Sequence, residues 1–77
     1  MRKLEDNAWT TLQEADVEKH IMAIVARTEN GKVVEMRIRH SRGEETPAKI
    51  TYNGKPALPM DIDEFVVHYD KKDFEIK

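Results

Sequence analysis

Ile21-Met22-Ala23-Ile24-Val25-Ala26-Arg27-Thr28-Glu29-Asn30-Gly31-Lys32-Val33-Val34-Glu35-Met36-Arg37-Ile38-Arg39-His40 carries the strongest local signal in the chain. At its centre, Asn30-Gly31 tolerates positive φ at two successive positions, which a type I′ turn requires, and apolar runs lie on either side. With Asn30-Gly31 as a two-residue loop, Glu29 pairs with Lys32, Arg27 with Val34, Val25 with Met36, Ala23 with Ile38 and Ile21 with His40. One face then holds Ile21, Ala23, Val25, Val34, Met36 and Ile38. The other holds Met22, Ile24 and Ala26 opposite Arg39, Arg37 and Glu35. A slip of one residue would mix the arginine and apolar faces of the second strand, so register matters here. The first strand is apolar on both sides, as expected of a central strand covered twice. The second alternates, so one of its faces meets solvent or a partner.

On the N-terminal side, Thr11-Leu12-Gln13-Glu14 resembles a capping box. A helix cannot extend far from it, because Ile21 to Ala26 is apolar all round and rich in β-branched residues. At most a short helix over Thr11–Lys19 is expected. On the C-terminal side, residues 41–47 combine Gly and Pro without periodicity and read as a loop. Ala48 to Tyr52, Asn53-Gly54 and Lys55 to Leu58 then repeat the hairpin pattern, with Pro56 confining its strand to an edge. Residues 62–72 support two readings. Ile62, Phe65, Val66 and Tyr69 have helical spacing behind Asp61 as N-cap. Phe65-Val66-Val67-His68-Tyr69 is also strand-like, with Asp70 to Asp73 as a turn into Phe74-Glu75-Ile76-Lys77. The third hairpin is the favoured reading. The expected fold is mainly β: a small antiparallel barrel or strongly bent sheet of about five or six short strands, since an isolated hairpin is marginal in water. The alternative is an α+β fold with a helix over 62–72.

The chain has 77 residues, 39% hydrophobic and 36% charged, which suits a single domain over 1–77 with a thin core. It has no Cys, which excludes disulfides, thiolate metal sites and cysteine nucleophiles. No apolar run approaches the ~20 residues of a membrane span, so no membrane association is expected. Met1-Arg2-Lys3-Leu4-Glu5-Asp6 lacks the apolar stretch of a secretory signal, and a cytoplasmic location is expected. The net charge is −2, unevenly laid out: residues 1–31 carry −2, residues 32–42 carry +3 and residues 43–77 carry −3. A basic island between acidic flanks is a weak footprint for nucleic acid, whose dedicated binders have pI above about 9; here it is near 5.9.

Arg37 and Arg39 on a strand project to one side about 7 Å apart, close to phosphate spacing. Met22 and Ile24 lie across the hairpin from them, and Arg42 and Lys49 extend the basic stretch. Arginine beside apolar surface suits a protein interface, and no aromatic residue is interleaved for base stacking. The expected role is a non-enzymatic binding module whose partner surface comprises Met22, Ile24, Arg37, Arg39, Arg42 and Lys49. A protein partner is favoured, with nucleic acid as the alternative and a monomer or weak homodimer as the assembly. Trp9 is expected in the core or as a lid, with an exposed anchor as the second reading. His20, His40 and His68 lack ligand spacing, so no metal is expected. Asp61, Asp63 and Glu64 read as cap and turn residues, and the acids beyond them lack the pattern of a Ca²⁺ loop. Ser41 adjoins His40 but adjacent strand residues face opposite ways, so neither catalysis nor a cofactor is expected.

Overall fold

The computed structural model describes residues 4–16 and 21–77. The elements are β1 (Trp9–Asp16), β2 (Ile21–Glu29), β3 (Lys32–His40), β4 (Glu45–Pro47), β5 (Ile50–Tyr52), β6 (Lys55–Pro56), β7 (Met60–Asp61), α1 (Ile62–Asp70) and β8 (Glu75–Ile76). They form two antiparallel sheets. The larger runs β1-β2-β3-β4, with β7 also paired to β3; the smaller runs β6-β5-β8. Among the described residues the fold is therefore mainly β with one short helix, and the sheet does not close into a barrel.

Both Asn-Gly turns form as expected. Asn30 and Gly31 have φ of 51° and 78°, and Asn53 and Gly54 have φ of 54° and 79°. These are the left-handed values a type I′ turn demands, which Gly adopts without steric cost and Asn with little. Pro56 sits on an edge strand.

The β2–β3 register departs from the regular one. Glu29↔Lys32 and Thr28↔Val33 pair as expected, but Arg27 then faces Glu35, Ala26 faces Met36, Val25 faces Arg37, Ile24 faces Ile38 and Ala23 faces Arg39. Val34 is a bulge residue, and a second irregularity at Met22 restores Ile21↔His40. The bulge lets Val33, Met36 and Ile38, spaced three and then two apart, all be buried. Ile24 consequently enters the core, 4% exposed, beside Ala26, Val33, Met36, Ile50 and Phe65. The expected grouping of Ile24 with Arg37 and Arg39 is corrected: they lie on opposite faces of the sheet.

Two further expectations are overturned. Residues 9–16 form β1, paired to β2 from Trp9↔Arg27 to Asp16↔Ile21 with an irregularity at Leu12, so the described part of the Thr11–Lys19 segment is strand. Residues 17–19, like His20, lie outside the described residues. The physical reason is β2 itself: its residues Ala23 to Ala26 are buried, so the backbone N–H and C=O groups along both of its edges need strand partners, and β1 supplies one of them. Secondly, Ile62–Asp70 is helix and no third hairpin forms over residues 65–76; β8 pairs with β5 instead. Phe65 is fully buried, and Ile62, Val66 and Tyr69 pack against the same core. Asp63 and Glu64 lie in the first turn, where the helix dipole favours acids. Lys72, at φ 58°, ends the helix in a left-handed residue. Its N–H donates to the Tyr69 carbonyl and that of Asp73 to the His68 carbonyl, which is the Schellman arrangement.

The helix and the small sheet cover the inner face of the large sheet. Phe65 stacks at 5.1 Å on Phe74 and at 5.7 Å on Tyr69. Tyr52 approaches His68 at 4.7 Å. His68 Nδ1 lies 3.0 Å from Asp73 Oδ2, tying the helix to the segment that follows it. Leu4 is buried, and the Thr28 hydroxyl donates to the Glu5 carbonyl at 2.6 Å, so the N-terminal segment closes one end of the core. Among the described residues no helix is long and apolar enough to cross a membrane.

Candidate interaction surface

The outer face of the large sheet gathers side chains from four strands. Arg27 on β2, Arg37 and Arg39 on β3, Trp9 on β1 and Glu45 on β4 all meet there because the β2–β3 bulge turns Val25 and Ala23 to that side, opposite Arg37 and Arg39. The Arg37 guanidinium carbon stands 4.6 Å from the centre of the Trp9 ring, and that of Arg27 stands 6.0 Å away. Such cation–π contacts contribute about 0.5–1 kcal/mol at exposed sites. Val25 is 1% exposed although it is not part of the inner core cluster. The long side chains flanking it shield it, as arginine stems and aromatic rings do on sheet surfaces.

The charges of this face are linked. Arg27 hydrogen-bonds both Glu29 and Glu35. The bond from Arg27 holds the Glu35 carboxyl below the ordinary value, and the bond to Glu35, then that to Glu29, raises the Arg27 guanidinium above its own. Arg39 Nε donates to Glu45 Oε2 at 3.0 Å. Arg37 is held more loosely: its ion pair with Glu45 spans 3.6 Å, beyond good hydrogen-bond length. Two-fifths of its side chain is exposed, and its remaining donors are available to an incoming acceptor.

The structure thus keeps Arg37 and Arg39 together and separates the other residues expected with them. Ile24 is in the core. Met22 lies at the irregularity that opens β2 and is 49% exposed. Arg42 is in the exposed turn after β3. Lys49 borders a different feature, an open groove of about 490 Å³ between β3 and the small sheet, lined by Val34, Pro47, Ala48, Pro56 and Leu58. Arg27 was missed at the sequence level, hidden by the regular register, which sets it opposite Val34. Trp9, expected first in the core or as a lid, is instead exposed on this face and outside the core cluster, which is its second reading. The spacing Val33, Met36, Ile38 was the available signal for the bulge.

Elsewhere, His40 Nε2 lies 3.0 Å from the Thr46 hydroxyl. Tyr69 donates at 3.4 Å to Gln13, and burial, then nearby Asp70, pushes its hydroxyl above the ordinary value. Among the described residues no three His, Asp or Glu side chains converge as metal ligands would. Comparison with known proteins finds no family, no curated protein and no solved structure that matches this chain.

Proposed function

We propose that this protein is a non-enzymatic cytoplasmic binding module that docks another protein on the outer face of its large sheet, with Trp9, Arg37, Arg39 and Arg27 as the contact residues. The observation that carries this reading is the Trp9–Arg37 pair: a tryptophan 37% exposed, its ring stacked with a guanidinium whose own ion pair is loose. Tryptophan and arginine are the residue types most enriched where interface energy concentrates. The neighbouring Arg27–Glu29–Glu35 and Arg39–Glu45 contacts hold the surrounding side chains in place, so less conformational freedom is lost on docking. The partner chemistry that fits is an apolar side chain on Trp9 with a carboxylate reaching Arg37. Nucleic acid is less well suited, because the three arginines of this face already meet three glutamates and offer no net positive field. A cytoplasmic site suits a small domain that has no cysteine for disulfide support.

The test is photo-crosslinking in cells from a reactive group at Thr11, on the outer face beside Val25, against a control at Asn53 in the distant turn. A protein adduct from position 11 alone, weakened at least about tenfold by Trp9→Ala and by Arg37→Glu with unchanged melting, is the expected result. Equal labelling from both positions would overturn the reading. So would an oligonucleotide mobility shift that fades with salt.

A further inference from the structure

We propose that Asn53 is a site of spontaneous backbone modification, converting through a cyclic imide to aspartate and isoaspartate, while the fold protects Asn30 in the matching turn. The local chemistry of the two sites is the same. Each asparagine is followed by Gly and then Lys, is exposed and stands at left-handed φ. Neither carboxamide has a hydrogen-bond partner among the described residues. Glycine, lacking a Cβ, leaves its own nitrogen unhindered. In the reaction the Gly54 nitrogen attacks the carboxamide carbon of Asn53. A C–N bond forms, the bond to the side-chain amide nitrogen breaks, and ammonia departs with the proton of the Gly54 N–H. Water then opens the ring. Cleavage of the new bond gives aspartate, whereas cleavage of the original peptide bond gives isoaspartate, whose backbone is longer by one carbon.

Attack requires the glycine nitrogen to swing onto the carboxamide carbon. The turn must loosen first, and the free energy of local opening differs between the two hairpins. Asn30-Gly31 joins β2 and β3, nine-residue strands at the centre of the large sheet. Further contacts clamp it: the Ile62 N–H donates to the Gly31 carbonyl at 2.9 Å, and Lys32 pairs with Asp61 of β7. Loosening this turn disturbs the core strands. Asn53-Gly54 joins β5 and β6, which share two residue pairs, Thr51 with Pro56 and Tyr52 with Lys55. One bond lies beyond them, from the Ala57 N–H to the Ile50 carbonyl at 2.9 Å. Pro56 has no N–H to add, and residues 53–56 are all exposed. Among the described residues β6 pairs with no strand but β5. Conversion therefore falls on Asn53. With its longer backbone the isoaspartate form no longer fits a two-residue turn, which releases β6 and the Pro56 side of the groove.

The test is peptide mapping by mass spectrometry of the full chain aged in warm, mildly alkaline buffer, beside the same chain aged in denaturant. Fragmentation that separates isoaspartate from aspartate identifies the products. In the folded chain Asn53 is expected to convert at least about tenfold faster than Asn30, and in denaturant the two rates should agree within about threefold. Each event turns a neutral amide into a carboxylate and moves the net charge from −2 to −3, so ion exchange counts the product independently. Amide hydrogen exchange should likewise run faster at residues 53–55 than at residues 30–32. Equal conversion of Asn30 and Asn53 in the folded chain overturns the proposal. So does a preference for Asn53 that persists unchanged in denaturant, or conversion of neither residue under conditions where the unfolded chain converts both.

Discussion

Lys72 shows how a single residue departs from what its backbone asks for. The Schellman arrangement after α1 needs a left-handed residue, and a lysine there bears the Cβ strain that glycine avoids. Lys72→Gly should stabilise the fold by up to about 1 kcal/mol, raising the melting temperature by roughly 4–8 °C for a domain of this size; a thermal melt checks it. Glu35 supplies a pH prediction. Its carboxyl is held below the ordinary 4.5 by the bond from Arg27, then by the charges of Arg27 and Arg37. The folded state therefore binds the proton less readily than the unfolded chain. The contribution is fully present above the unfolded value and is lost as pH falls through the lowered folded value. In Glu35→Gln this part of the acid-side slope should vanish, as stability curves at stepped pH would reveal. Because the pair is exposed the effect is small, but its sign is fixed. None of this was legible from residue types alone, since Lys72 and Glu35 look like ordinary solvated charges until the turn and the bulge place them.

At the scale of elements, legibility followed local chemistry. Asn30-Gly31 and Asn53-Gly54 were readable because two positive φ angles leave few residue choices. The β2–β3 register was not, because β2 is apolar on both faces and buries equally well either way; only a contrast between faces pins register. The helix over 62–70 was ambiguous for a related reason. Phe65, Val66 and Val67 favour strand by local preference, while Ile62, Phe65, Val66 and Tyr69 make a helical stripe that the uncovered inner face of the large sheet can bury. Tertiary packing decided between them. Phe65 is the pivot of that packing, fully buried and stacked between Phe74 and Tyr69. Phe65→Ala should remove about 3–5 kcal/mol, much of the total stability of a chain this small. Denaturant titration should show a largely unfolded population in water. A cooperative transition shifted by less than about 1 kcal/mol would instead mean that the helix is dispensable to the core.

For the molecule as a whole, the division into two unequal sheets leaves one broad face uncovered by the helix and the small sheet, and that asymmetry is the basis of the functional reading. The candidate residues Arg37 and Arg39 were legible as a basic strand. Their companions were not, because Trp9 and Arg27 join them only through the pairing of β1 and the one-residue shift at Val34. Both the docking surface and the burial of Ile24 rest on that shift. Cross-strand nuclear Overhauser contacts in the labelled protein measure it directly. Contacts joining Ala26 with Met36 and Ile24 with Ile38, together with Trp9 ring-current shifts on the Arg37 side chain, are the predicted pattern. Contacts joining Val25 with Met36 and Ala23 with Ile38 would contradict it, returning Ile24 to the arginine face and dissolving the Trp9–Arg37 surface.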